Sequence, residues 1–173
     1  DKGKEIYDLI VNTGKDFKLS HCGSHAMDIM RMESGFLHWG HDISPEENQY
    51  QAGLNFAISF KKPFNFIGKE QLQKIKDQKL DRRFAMFILK NSEPGNPLLL
   101  HEEPIYLNDN IIGKTTSGNY SFNYDKNLSF GYIKSDISNE KLKDENIFIE
   151  IEKKKYQAEI LLNPLKQANF KTI

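Results

Sequence analysis

From Arg83 onward the chain is a series of short apolar stretches separated by turn-forming residues, and that pattern limits the fold more than any other feature. Arg83–Leu89, Pro104–Leu107, Ile111–Thr116, Leu128–Ile133, Ile147–Glu152 and Tyr156–Leu162 are each of strand length. Several alternate apolar with polar residues, as a half-buried strand requires. Between them, Glu93–Pro94–Gly95–Asn96–Pro97 and Asn108–Asp109–Asn110 carry residues that favour chain reversal. Six such segments in about ninety residues imply a small antiparallel barrel or sandwich. The lysine run Lys153–Lys155 falls at the tip of the last hairpin, and Gly113–Ser117 reads as a strand running into a tight turn at Gly118.

The N-terminal part mixes helix and strand, so the fold class is α+β. Ile6, Leu9, Ile10 and Phe17 recur at helical spacing and predict an amphipathic helix over Lys4–Thr13, with Gly14 as its stop. His25–Glu33 is a second helix with Ala26, Ile29, Met30 and Met32 on its apolar face, ended by Gly35 in a left-handed conformation. The turn that follows, Phe36–Leu37–His38–Trp39–Gly40–His41–Asp42, holds the only tryptophan and two of the five histidines. A turn of this kind delivers side chains to a pocket; the competing reading has Phe36 and Trp39 filling a core. Ser44–Pro45–Glu46–Glu47 carries a capping signature for one short helical turn, and Gly53–Phe60 alternates like a strand. A lysine-rich helix from Lys69 to about Lys76 turns Leu72 and Ile75 inward, and the polar segment Asp77–Arg82 marks a boundary.

Lysine plus arginine and aspartate plus glutamate balance at 24 each, which argues against nucleic acid or an anionic membrane as the main partner. No apolar run approaches the roughly 18 residues of a membrane span. The single cysteine, Cys22, excludes an internal disulfide and fits a reducing, cytoplasmic location. The sequence begins without methionine, directly in helix-forming residues, as the C-terminal part of a longer protein would.

Three constellations could carry chemistry. His21, Cys22 and His25 bring metal-ligand types together, but no second cluster supplies the remaining ligands, and no metal site is expected. His38 and His41 with Asp42 could form a histidine–carboxylate pair for general acid–base work, against a purely structural hydrogen-bonding role. Arg31 and Glu33, across one helix turn, are expected to pair and organise the Trp39 loop. There is no nucleophile elbow, and Gly113–Lys114–Thr115–Thr116–Ser117–Gly118 lacks the spacing of a phosphate loop.

Taken together, five segments resemble one family. Met30–Arg31–Met32–Glu33–Ser34–Gly35 is similar to the Leu-Arg-Leu-Glu-x-Gly pattern of the folate-dependent aminomethyltransferase (glycine-cleavage T-protein) family. His38–Trp39–Gly40–His41–Asp42 resembles the corresponding segment of the dimethylglycine and sarcosine dehydrogenase branch, and is the most specific of the five. Ala52–Gly53–Leu54–Asn55–Phe56, Phe66–Ile67–Gly68–Lys69–Glu70, and Thr116–Ser117–Gly118 with Gly131–Tyr132–Ile133 match further family segments in the same order. The resemblance runs nearly the whole length.

The resemblance implies that residues 1–66 are the C-terminal portion of a folate-binding domain, 67–80 a connecting helix, and 81–173 a β-barrel domain. It implies one-carbon transfer, in which tetrahydrofolate accepts a methylene or methyl group from an N-methylated glycine-type donor. The implied partners are folate, a small methylated amine and the upstream part of the same protein; any flavin would belong to an upstream domain. Phe36 falls at an aromatic folate-lining position, and Trp39 and Met27 join it as candidate cofactor-binding residues. No catalytic residue is expected in this chain, because the family's catalytic aspartate lies upstream. Met27 stands where the glycine-cleavage branch carries an arginine close to the folate glutamate tail, which favours the dehydrogenase branch. Gln51, Asn65 and Phe122 also depart from the family pattern. Two alternatives remain open: a non-catalytic folate-binding sensor or scaffold, and a demethylase acting on a methylated sulfur compound.

Overall fold

A computed structural model describes residues 2–144 and 146–161. Leu162, expected to close the last strand, and the rest of the 162–173 stretch assigned to the barrel domain lie outside the described residues. Six strands run in chain order: β1 (Arg82–Leu89), β2 (Pro104–Leu107), β3 (Asn110–Ser121), β4 (Lys126–Lys134), β5 (Ile147–Ile151) and β6 (Lys154–Leu161). They pair antiparallel in the order β1-β4-β3-β2-β5-β6 and close into a barrel through β6 and β1. Closure leaves no unpaired edge, which is how so small a sheet protects its backbone.

Alternation along the strands builds the interior. Ala85, Phe87 and Leu89 from β1, Ile105 and Leu107 from β2, and Ile147, Ile149 and Ile151 from β5 form one buried cluster. Strand β4 departs from alternation, being buried from Asn127 to Ile133 on both faces. Its inner side faces the barrel. Its outer residues Leu128 and Phe130 receive Ile29 and Met32 of helix α2 (Ser24–Glu33). This packing seats the helix against the barrel.

The helix ends as expected. Gly35 takes φ +76°, its N–H donates to Met32 O, and the Phe36 N–H reaches back to Arg31 O at 2.9 Å. These two bonds satisfy carbonyls that the last turn leaves open. Only Ile29 and Met32 of the four expected inward residues are buried; Ala26 and Met30 are exposed. Helix α1 (Gly3–Gly14) forms but buries nothing, so Ile6, Leu9 and Ile10 face outward. Gly14 stays right-handed and makes room for Leu19, whose Cδ2 would lie 2.5 Å from an added Cβ.

Four local expectations are corrected. Gly53–Phe60 is not a strand: Gly53 is left-handed, a 3-10 turn spans Asn55–Ala57, and Phe56 is exposed. Asn48 decides this. Its side chain accepts from the N–H groups of Tyr50 and Gln51, and its carbonyl from Ala52, so the backbone is satisfied within the turn rather than by a neighbouring strand. Glu47 accepts from the Ser44 N–H as the capping signature requires, but Ser44 Oγ donates to the same carboxylate and accepts from the Glu46 N–H instead of that of Glu47, and only a turn follows. At Gly118 there is no turn: β3 continues to Ser121, and the glycine admits the backbone of Leu99. The reversal between β5 and β6 falls at Glu152 and Lys153, both with positive φ, one residue earlier than the lysine run suggests. Helix α3 (Lys69–Ile75) follows a left-handed Gly68 and keeps Leu72 and Ile75 half-buried.

Candidate functional site

An open cleft of about 580 Å³ lies where the N-terminal half of α2, the turn after it, the loop before β2 and the middle of β3 meet. Its size is within the roughly 300–1,000 Å³ of small-molecule sites. Leu37, Leu98 and Leu99 supply apolar wall, and Arg31, Thr116 and Ser117 line it beneath.

The floor is a network centred on Asp42, which is 1% exposed. Arg31 Nη1 donates to Asp42 Oδ2, which also accepts from the His38 backbone N–H at 2.9 Å. Oδ1 accepts from Thr116 Oγ1 at 2.6 Å and Ser117 Oγ at 2.7 Å. Two consecutive strand residues ordinarily point to opposite faces, so one carboxylate oxygen could not collect both hydroxyls. Here the β3–β4 register shifts between Thr115 and Ser117, leaving Thr116 as the extra residue of a bulge. The bulge turns both hydroxyls to the same oxygen.

Arg31 is the hub of this arrangement. Its Nε and Nη2 contact Asp28 Oδ1 at 2.8 and 2.7 Å, Nη2 donates to Ser117 Oγ at 2.8 Å, and Nη1 to Phe36 O at 3.1 Å. Its guanidinium lies 5.3 Å from the Phe130 ring centroid. One planar fork thereby joins α2, the Phe36–Asp42 turn and the barrel, a task that suits arginine over lysine.

The expected Arg31–Glu33 pair does not form. Residues two apart on a helix diverge, and Glu33 turns the other way, 2% exposed, to accept from Ser121 Oγ at 2.5 Å and Asn123 Nδ2 at 2.9 Å. Nor is Asp42 a histidine partner, because its oxygens are taken up by Arg31, two hydroxyls and a backbone N–H. The His38 and His41 rings instead face each other at 4.6 Å between centroids. His21 Nε2 meets Tyr7 Oη at 2.7 Å, and no group of three His, Cys, Asp or Glu side chains is placed to hold a metal among the described residues.

Of the three candidate binding residues, Met27 lines the cleft, whereas Phe36 and Trp39 lie outside its lining and are 47% and 64% exposed. They are not core plugs. Missed in the sequence were Thr116 and Ser117 as partners of Asp42, and the loop 95–101 as the far wall. That wall is held by Asn127 Nδ2 donating to Pro97 O at 3.0 Å and by Leu99 against Gly118. The signal available for it was Gly118, a strand glycine that needs a close neighbour.

Family comparison agrees with this architecture. The GCVT N-terminal domain matches residues 1–62, and the glycine cleavage T-protein C-terminal barrel domain matches residues 82–166. The chain belongs to the glycine cleavage T-protein family. Human mitochondrial dimethylglycine dehydrogenase is 33% identical over 163 residues, which are 92% of this chain but 18% of that protein. An aminomethyltransferase of Halothermothrix orenii is 34% identical over 136 residues, 79% of this chain and 37% of that protein. The mouse mitochondrial pyruvate dehydrogenase phosphatase regulatory subunit is 30% identical over 129 residues, 74% of this chain and 15% of that protein. The chain therefore spans well under half the length of these relatives, in the C-terminal region of the larger ones. The crystal structure of glycine cleavage system aminomethyltransferase T from Bartonella henselae shares the fold, with a TM-score of 0.77 at 21% identity over 93% of this chain and 44% of that one. No helix among the described residues is long and apolar enough to cross a membrane.

Proposed function

We propose that this chain is the C-terminal part of a tetrahydrofolate-dependent one-carbon transferase acting on an N-methylated glycine-type amine. In this reading residues 1–66 complete a folate-binding domain begun upstream, 67–80 connect it, and 81–173 form the barrel domain. The observation that carries it is the Arg31–Asp42 network. It fixes the family's most specific segment against the barrel and leaves Phe36 and Trp39 exposed beside the cleft that Met27 lines.

A flat heteroaromatic ring needs apolar and aromatic faces with few polar groups, which the cleft and its two neighbouring aromatics offer. Tetrahydrofolate, when bound, supplies the nucleophilic nitrogen that captures the one-carbon unit. This chain contributes positioning: Met27 as a wall, Phe36 and Trp39 as faces, and the buried network as a support that keeps them from shifting. The compartment in this reading is cytoplasmic and reducing, as exposed Cys22 permits.

The test is product analysis of the intact protein with dimethylglycine or sarcosine and an added two-electron acceptor, which takes the electrons lost by the N-methyl carbon, with and without tetrahydrofolate. Methylene-tetrahydrofolate replacing free formaldehyde is the expected result; no folate-dependent change with any methylated amine ends the proposal. A non-catalytic scaffold is the second reading, favoured by a relative named as a regulatory subunit. Folate binding without turnover would select it.

A further inference from the structure

Helix α2 divides its apolar side chains between two environments. Ile29 and Met32 pack on Leu128 and Phe130 of β4, whereas Met27 and Met30 are 65% and 57% exposed. The chain has four methionines; Met32 is 1% exposed, and Met86 of β1 lies half-buried in the same cluster. One short helix therefore carries two open thioethers beside a closed one. Only the first of the open pair stands in the cleft: Met27 lines it with Leu37, Leu98 and Leu99, and Met30 does not. The donors of the cleft floor are already committed. Arg31 gives its N–H groups to Asp28, Phe36 O, Asp42 and Ser117, and the Thr116 and Ser117 hydroxyls go to Asp42.

We infer that Met27 is a site of reversible oxidation by a peroxide, and that the oxygen it gains weakens the hold of the cleft on an apolar or aromatic ligand. In the step, a lone pair of the thioether sulfur attacks one peroxide oxygen. An S–O bond forms as the O–O bond breaks, and the departing hydroxide takes the proton of the transferred oxygen and leaves as water. Sulfur is oxidised by two electrons and the peroxide is reduced by two. The step needs no base from the protein, so exposure decides which methionine reacts. Repair by a methionine sulfoxide reductase returns the two electrons from a dithiol, which becomes a disulfide while the oxygen leaves as water. A sulfoxide is a polar acceptor on a side chain that was apolar. In the cleft it either keeps water against the leucines or is covered by the ligand without a donor, and both oppose binding. The modification rests on exposure alone; its effect on affinity rests on the folate reading above.

The experiment treats the intact protein with hydrogen peroxide, destroys the excess with catalase, and measures oxygen gained at each methionine by peptide mass mapping and affinity for tetrahydrofolate by calorimetry. Met27 and Met30 are expected to gain oxygen well before Met32. Covering an unpaired polar group is costly enough to weaken tetrahydrofolate binding about tenfold, each protein being compared with its own untreated form. The loss should fall to about twofold or less in Met27→Leu, which keeps an apolar wall of similar volume with no sulfur to oxidise. It should persist in Met30→Leu and be reversed by the two reductases, one for each sulfoxide epimer. Cys22 is exposed and present in both variants, so a loss carried by its thiol would survive Met27→Leu. Oxygen entering Met27 no faster than Met32 overturns the modification, whatever the affinities. Oxygen on Met27 with unchanged binding, or a loss that survives Met27→Leu, overturns the effect on the cleft and leaves the folate reading standing. If the untreated protein does not bind tetrahydrofolate, the folate reading falls together with the affinity effect, and the mass map by itself decides the modification.

Discussion

Arg31→Met isolates the role of the buried network. Methionine keeps length and apolar packing over Phe130 while removing every donor. Asp42 then keeps His38 N–H, Thr116 and Ser117 but loses its only cation, in a site where the arginine side chain is 15% exposed and the aspartate side chain fully enclosed. Removing one member of a buried pair costs about 3–5 kcal/mol. The three surviving neutral donors argue for the lower end, and the Asp28 contact, one-third exposed, adds a few tenths. The expected loss is about 3 kcal/mol, over a hundredfold in the folding equilibrium. With an m-value of about 1–3 kcal/mol/M, the urea midpoint falls by roughly 1–3 M. Adding Asp42→Asn removes the stranded charge, so the double variant should recover about 1–2 kcal/mol relative to Arg31→Met alone. Equilibrium urea unfolding followed by Trp39 fluorescence reads both. A loss under about 1 kcal/mol, or a double variant no better than the single, refutes the network as the element that holds α2 to the barrel.

Two further substitutions probe separate features. Gly118→Ala places a Cβ 2.4 Å from Leu99 Cγ and 2.9 Å from its backbone C and O. The wall of the cleft must retreat, at about 1–3 kcal/mol, and amide shifts confined to residues 95–101 and 116–120 would register it; unchanged shifts would contradict the close approach. Asp81 is held below the ordinary carboxylate range, chiefly by the Gln51 side chain donating at 2.7 Å and also by the Arg82 N–H, against a desolvation effect in the other direction. A depressed carboxylate stabilises the fold above its unfolded pKa and stops doing so as pH falls through its folded value. The stability difference between the natural chain and Asp81→Asn should hold from pH 7 to about 5 and shrink below about pH 4. A difference that grows on acidification would reverse the assigned sign.

Much of the fold was legible in local pattern. The strand segments declared themselves because each half-buried strand imposes a period of two on its own residues, and the turns because Gly, Asn and Pro favour reversal. The α2 stop at Gly35 was equally local. What failed were readings that needed a partner. Gly53–Phe60 alternates like a strand, yet among the described residues no neighbour pairs with it, and Asn48 closes its start as a turn. Arg31 and Glu33 lie two apart with opposite charge, yet helix geometry sends them to different faces and different buried partners.

The family motifs, the strand segments and the two hairpins β2–β3 and β5–β6 were thus properties of the sequence by itself, since they depend on residues close together in the chain, whereas the pairing order that closes the barrel was not. The site was decided by tertiary structure. Thr116 and Ser117 reach Asp42 across more than seventy residues of chain, only because barrel closure brings β3 beneath the turn and a bulge aligns both hydroxyls. A buried carboxylate requires partners in space, and the chain supplies them from wherever the closed sheet happens to bring its backbone past.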